Sequence, residues 1–367
     1  MHRYSEQEKY WIWLGSVPEV TPKLFYYIIK EFLDAERFFD AVQNDSALLN
    51  SVPGKALAAL KAACSRERVA EIICGLQEKG ICAVTRLGNG YPEILASIPY
   101  PPPVLYVKGS MTGIYKTISI VGTRRCTRKG FDLTRSIAKD LGTAGMTVVS
   151  GMARGIDTAA HTGAIEAGAK TVAVLGCGVD VIYPPESETI YYQAIEKGAV
   201  ISELVSGTEP LAVNFPARNR IIAGLSRGTL IVESEMGGGT AITALMAIAY
   251  ARDIFAVPGP PHLKVAELTA MLIKKGAVPI TCAADILRYY GYIGTKLTDL
   301  NFKSGQNEQI QLDFLQREIY NLLLQGDISV ENIANSIQYP QSEINITLTM
   351  MELCGLIKRL PGGKYGI

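Results

Sequence analysis

Histidine is scarce in this chain, with three in 367 residues (His2, His161 and His262) spread far apart, so a histidine-based metal site has little to build on. The seven cysteines are odd in number and widely spaced. None forms a C-x-x-C pair, which argues against both a disulfide scaffold and a zinc ribbon. Long apolar runs are also missing: the best candidate, Ala241 to Ala251, is broken by Thr243 and closed by Arg252, too short to span a bilayer. The first residues reach Glu6 at once, with no apolar h-region before a cleavage site, so a cytoplasmic address without membrane attachment is the expectation. Net charge is nearly absent as well, 36 Lys+Arg standing against 35 Asp+Glu. Taken whole, that balance argues against a nucleic-acid partner, but only if the charge is evenly spread.

It is not evenly spread. Residues 1–111 hold 12 basic and 12 acidic residues, 112–304 hold 20 and 16, and 305–367 hold 4 and 7. Between 116 and 135, six cations face only Asp132. With 48% hydrophobic and 19% charged residues the chain is globular, and its length suggests two or three domains.

The three charge zones coincide with three patterns. In the first, Lys23–Phe32 and Ala56–Cys64 carry apolar residues at helical spacing, and Pro99-Tyr100-Pro101-Pro102-Pro103 closes the zone as a stiff connector. In the second, short β-branched runs alternate with helix-length segments. Strands are expected at 117–121, 146–150, 171–175, 199–202, 229–233, 253–257 and 277–281, in a parallel sheet covered on both faces. This is an α/β, Rossmann-like doubly wound domain. Residues 293–309 read as a polar linker, and 310–367 as three helices (313–324, 330–337, 342–354) with a short hairpin, the pattern of a winged helix. The division is therefore 1–85 helical, 86–292 Rossmann-like, 293–309 linker and 310–367 winged helix.

Four loops at expected strand ends carry the chemistry. After the first strand, Gly122-Thr123-Arg124-Arg125-Cys126-Thr127 lacks the G-x-G-x-x-G of a dinucleotide site, so no NAD or FAD is expected. It leaves a helix N-terminus with free N–H groups and two arginines, an anion site at the carboxyl edge of the sheet. After the second strand, Gly151 and Gly155 flank Arg154, with Asp157 as the expected N-cap of the next helix. The third stretch, Phe215 to Arg220, sets Arg218, Asn219 and Arg220 beside an aromatic face in a region free of acidic residues from 210 to 232. This combination suits single-stranded nucleic acid, although the arginines could instead pair with Glu203, Glu233 or Glu235. In the fourth, Gly237, Gly238, Gly239 and Thr240 open a helix and offer N–H groups to phosphate. Two further patterns read as structural. His161 has no ligand partner nearby, and Gly224-Leu225-Ser226-Arg227-Gly228 matches a nucleophile elbow with helix and strand in the wrong order.

Taken in order, these loops resemble the DprA or Smf family of DNA-processing proteins. The matching residues are Val121-Gly122-Thr123-Arg124-Arg125, Ser150 to Asp157 with His161, Val174 to Asp180 with Tyr183-Pro184, and Ile201-Ser202-Glu203. Phe215-Pro216 with Arg218 to Ser226, Gly238-Gly239-Thr240 with Thr243-Ala244, and Val257-Pro258-Gly259 complete the set. The N-terminal helices resemble the family's sterile-alpha-motif or helix-hairpin-helix region. The resemblance implies a non-catalytic, cofactor-free homodimer that binds single-stranded DNA, protects it during natural transformation and loads the RecA recombinase. Phosphate contacts would fall on Arg124, Arg154, Arg218 and Arg220, with Asn219 and Phe215 near the bases. The chain departs from the family at Ala270-Met271, where an Asn usually precedes Leu272-Ile273, and at Glu19, which would repel phosphate in a hairpin. A second Rossmann-like family, the LOG phosphoribohydrolases, carries a catalytic glutamate where this chain has Thr243, which disfavours that enzyme. The expected recognition helix of the winged helix holds Glu343 and Glu352 and no Lys or Arg, so contact with protein rather than duplex DNA is expected there.

Overall fold

The computed structural model describes residues 4–260, 262–292 and 314–366, apart from 324, 325, 338, 340, 354–356, 361 and 362. The expected linker at 293–309 lies outside the described residues.

Five helices come first: α1 (Glu6–Ser16), α2 (Pro22–Phe32), α3 (Ala35–Gln43), α4 (Gly54–Ala63) and α5 (Arg66–Glu78). Their starts are written locally: Ser5, Thr21, Asp34 and Ser65 each accept a backbone N–H of the first turn, and Ser5 completes a capping box with Glu8. Apolar faces close on Trp13, Phe25, Phe38 and Phe39, all without solvent contact.

Next come β1 (Cys82–Thr85), α6 (Glu93–Ala96), β2 (Val104–Gly109), β3 (Thr117–Val121), α7 (Arg128–Thr143), β4 (Thr147–Ser150), α8 (Ile156–Glu166) and β5 (Thr171–Val174). They are followed by α9 (Glu188–Lys197), β6 (Ala199–Ser202), α10 (Asn214–Gly224), β7 (Gly228–Ile231), α11 (Gly239–Ala249), β8 (Asp253–Ala256), α12 (Glu267–Lys274), β9 (Val278–Pro279) and α13 (Ala283–Tyr289). The strands form one nine-stranded sheet ordered β1-β2-β6-β5-β4-β3-β7-β8-β9. From β6 to β9 every pairing is parallel, and β3 to β7 are buried at every position, so they read as largely apolar, β-branched runs with no exposed position.

The sheet departs from the all-parallel expectation at one edge. There β2 lies antiparallel to β6, and β1 antiparallel to β2. These two strands carry the N-terminal helices into the sheet: Ala83, Val104 and Tyr106 belong to the same apolar cluster as Trp13 and Phe38. No helix among the described residues is long and apolar enough to cross a membrane.

The last elements are α14 (Phe314–Leu323), β10 (Ile328–Ser329), α15 (Val330–Ser336), α16 (Gln341–Leu353), β11 (Lys358–Leu360) and β12 (Lys364–Gly366). Three helices with a three-stranded antiparallel wing, ordered β10-β12-β11, close on Ile319, Ile333, Ile344 and Leu348. This is the winged helix expected from the sequence.

In the parallel part the strand order reverses between β3 and β7, the first leading to β4 and the second to β8. At such a switch point the loops leaving adjacent carboxyl ends turn to opposite faces and open a crevice, the usual place for a ligand in a doubly wound sheet.

Candidate nucleic-acid interface

The loop after β3 lies close against its neighbours. A side chain on Gly122 would put its Cβ 2.5 Å from Ile156 Cγ1 and 2.9 Å from the Glu233 carbonyl oxygen, so only glycine fits. The Thr123 N–H donates to that same carbonyl at 2.6 Å. Thr127 caps α7, and the anion expected at this helix end is supplied internally. Glu233 Oε2 accepts the Thr127 N–H at 2.8 Å, its Oε1 accepts the Thr127 hydroxyl at 2.6 Å, and Thr127 Oγ1 in turn accepts the Gly130 N–H at 2.9 Å. The reading of a free α7 terminus open to phosphate is thereby corrected, because a carboxylate already fills it. Arg124 and Arg125 remain exposed at the mouth of the crevice.

In the loop after β4 the expected cap is also different. Gly155, with φ +75°, is the N-cap of α8, and a Cβ there would lie 2.4 Å from Thr123 O. Asp157 stands inside the first turn and reaches back: its Oδ2 accepts the N–H groups of Gly151 at 3.1 Å and Ala153 at 3.4 Å. Burial pushes this carboxyl up to about 6 despite the nearby Arg218, which opposes the shift. Arg154 is exposed and paired with Glu186.

The first turns of α10 bring the third set of residues together. The Phe215 ring lies against the Gly176 backbone, where a Cβ would come within 2.8 Å of it, and 5.5 Å from the Tyr183 ring. Two guanidinium groups approach the same ring, Arg124 at 5.4 Å and Arg218 at 5.8 Å from its centroid. Arg218 is 6% exposed, and its Nη1 donates to Gly151 O at 2.7 Å and to Val174 O. Burial lowers its pKa to about 10, which leaves it charged at neutral pH. Arg220, two residues on, points to the other side of α10. Its Nη1 donates to Tyr100 O at 3.0 Å and its Nη2 holds Glu203 at 2.5 and 2.6 Å, one of the pairings left open by the sequence. Of the four arginines, Arg124, Arg154 and Arg218 line one pocket, and Arg220 is not among its walls.

The fourth loop joins the same space. Gly238 caps α11 without any side-chain hydrogen bond, and Asn219 Nδ2 ties α10 to the loop by donating to Gly239 O at 3.1 Å. The result is an open groove of about 620 Å³ along the switch point, walled by Gly122, Arg124, Arg125, Phe215, Arg218, Asn219, Gly238, Gly239 and Thr240. Gly151 and Arg154 line the narrower pocket beside it. Gly155 and Arg220 are the two expected residues that line neither. Sequence reasoning gave no site role to Tyr183, which walls both spaces, and offered Glu235, an exposed carboxylate at the groove, only as a pairing partner for the arginines. Tyr183 was signalled by its place in the Tyr183-Pro184 motif, and Glu235 by its position in the fourth loop.

The structural readings of the remaining motifs hold. His161 is fully buried with Nδ1 2.7 Å from Thr171 Oγ1, and burial together with Arg218 pushes its pKa down to about 3. Ser226 is buried and hydrogen-bonded to Ser119 at 2.7 Å, between the end of α10 and the start of β7. Thr243 is buried in α11, its hydroxyl donating to Gly239 O at 3.3 Å.

Comparison with known families places this fold among DNA-processing proteins. The family described as DNA recombination-mediator protein A matches residues 83–291, and the DprA winged helix domain matches 306–363. Protein Smf of Synechocystis is 35% identical over 327 residues, spanning 79% of this chain and 81% of that protein. Protein Smf of Escherichia coli is 33% identical over 306 residues, with 81% and 80% covered. The crystal structure of DNA processing protein A from Streptococcus pneumoniae superimposes with a TM-score of 0.66 at 28% identity, over 78% of this chain and 98% of that one. A Helicobacter pylori DNA processing protein A, whose structure is described in terms of its single-stranded DNA binding mode, shares the fold with a TM-score of 0.52 at 24% identity, over 57% and 95%. The chain belongs to the DprA/Smf family.

Proposed function

We propose that this chain binds single-stranded DNA along the switch-point groove and performs no chemistry on it. The observation that carries the reading is the convergence of Arg124 and Arg218 on one half-buried aromatic ring, with Arg154 in the same pocket. Exposed Arg124, Arg125 and Arg154 suit phosphates, and the Phe215 and Tyr183 rings suit unstacked bases. The open N-terminus of α11 adds backbone N–H groups for a further phosphate. Arg218 supports the wall from within, its guanidinium spent on two backbone carbonyls. The Helicobacter pylori relative's single-stranded DNA binding is in keeping with this use of the fold.

The wider role follows the family: a cytoplasmic homodimer that protects incoming DNA in natural transformation and hands it to RecA, with the winged helix contacting protein. The phosphoribohydrolase alternative is disfavoured, because Thr243 is buried and occupied where a catalytic carboxylate would be needed.

The test is fluorescence anisotropy with labelled oligo-dT at two salt concentrations. Tight binding that weakens as salt rises is expected. Affinity that ignores salt, or release of free base from nucleoside monophosphates, would sink the reading.

A further inference from the structure

One motif of the sequence has no part in the groove as described. In Gly178-Val179-Asp180, Asp180 lies just before Tyr183 in the stretch after β5, yet it faces away from the crevice toward the N-terminal helices. Its carboxylate collects three donors from two other segments. Oδ2 accepts Lys79 Nζ at 2.9 Å and the Ser206 hydroxyl at 2.6 Å, and Oδ1 accepts the Gly207 N–H at 2.8 Å. Lys79 Nζ also donates to Ser206 Oγ at 2.7 Å, closing a triangle.

Each corner belongs to a different part of the chain. Lys79 is the C-cap of α5, in the N-terminal helical region. Asp180 sits in the loop that carries Gly176 and Tyr183, and Ser206 and Gly207 sit in the loop that runs into Phe215 and Arg218. The two loops are also joined by the Gly178 N–H donating to Thr208 O at 2.9 Å. They approach so closely that a Cβ on Gly178 would lie 2.7 Å from Gly207 N. A second, apolar contact runs the same way, because Val179 is fully buried inside the N-terminal cluster with Tyr106, and Val205 packs against it.

From this arrangement we infer that the N-terminal helical region shapes the DNA groove, with Lys79, Asp180 and Ser206 acting as a clasp that holds the Tyr183 and Phe215 loops together. Asp180 is a positioning residue, since it acts on DNA only through these loops. The inference rests on the groove reading above and gives the first 80 residues a role other than direct contact with DNA. Burial alone would raise the Asp180 pKa, but the Ser206, Lys79 and Gly207 donors outweigh it and lower the carboxyl to about 2, so the carboxylate is charged at neutral pH. Side-chain exposures of 17% for Asp180 and 51% for Lys79 allow either to be changed without opening a core.

The experiment uses the full chain with Asp180→Asn, Lys79→Met and the double variant. Lys61→Met serves as control, since it removes an ion pair to Asp45 elsewhere in the helical region. Hydrogen exchange of residues 176–184 and 204–213 is read without DNA, and oligo-dT affinity is read alongside. Exchange in both loops is expected to rise by about tenfold in Asp180→Asn while α7 and α8 stay protected. Affinity is expected to fall by about fivefold, with the double variant no worse than Asp180→Asn alone. The inference is overturned if loop exchange matches the parent, if exchange rises while affinity is intact, or if Lys61→Met has the same effect. Arg124→Ala separates the two levels: if it leaves binding unchanged the groove reading fails, and the exchange result alone then decides the clasp.

Discussion

Glu233 holds Thr127 by both of its carboxylate oxygens, taking the backbone N–H at 2.8 Å and the hydroxyl at 2.6 Å. Because Glu233 follows β7 and Thr127 caps the helix after β3, the two sides of the switch point are joined across the crevice. Glu233→Gln keeps the shape but loses the charge at the helix end, and a loss of about 1 kcal/mol is expected. Glu233→Ala strips both acceptors, with an expected loss of about 2 kcal/mol. Urea unfolding checks both, and a Gln variant less stable than the Ala variant would contradict the arrangement.

Arg124→Ala is expected to weaken oligo-dT binding by about tenfold and to lower the slope of log affinity against log salt by about 0.7, the contribution of one phosphate on a single strand. The fold should be unaffected, since Arg124 is exposed. An unchanged salt slope would show that this side chain does not meet phosphate.

Arg218 should behave differently. Its removal leaves the Gly151 and Val174 carbonyls without their donor in a buried setting, with a cost of about 3 kcal/mol. Arg218→Lys is expected to restore less than half of this, because a single ammonium cannot reproduce the planar fork. Urea midpoints for the two variants distinguish this support role from a purely surface contact, for which both would match the parent.

Gly122→Ala drives a methyl group into Ile156 and into the Glu233 carbonyl, and the second of these is backbone with little room to yield. An expected destabilisation of about 2 kcal/mol, with weaker DNA binding, follows from the shifted loop. A variant as stable as the parent would mean that the β3 and β7 loops stand further apart.

His161 gives a pH dependence of defined sign. Its folded pKa is pushed below the value of an exposed histidine, so on acidification the unfolded chain takes up the proton first. Its contribution is therefore intact above about pH 6.5 and is lost as pH falls toward 3. The parent's melting temperature should drop more between pH 7 and 4.5 than that of His161→Gln, and equal drops would refute the assignment.

Much of this was legible in the sequence because buried parallel strands announce themselves. The bounds expected for 117–121 and 199–202 are those observed, in both cases buried runs of apolar and β-branched residues with a single serine. β1 and β2 carry weaker signals: one is four residues long just after Gly80, and the other follows directly on three prolines. β1 pairs with β2 some twenty residues on, but the antiparallel pairing of β2 depends on β6, ninety or more residues away, which no local pattern encodes. At the site, the four loops converge because the topology puts their strand ends together. The fate of the arginines was decided by helix geometry: Arg218 and Arg220 lie two residues apart on α10, and such positions face different ways. The internal anion at α7 needed the distant Glu233, so capping chemistry alone left that terminus looking free.

The antiparallel join of β2 to β6 also bears on synthesis. Residues 104–109 leave the ribosome about ninety residues before 199–202, their partners, a delay of several seconds at roughly 5–20 residues per second. For most of that interval the helical cluster lacks Val179, and through all of it β2 presents a bare edge, so the first hundred residues complete their fold only when the middle of the chain arrives.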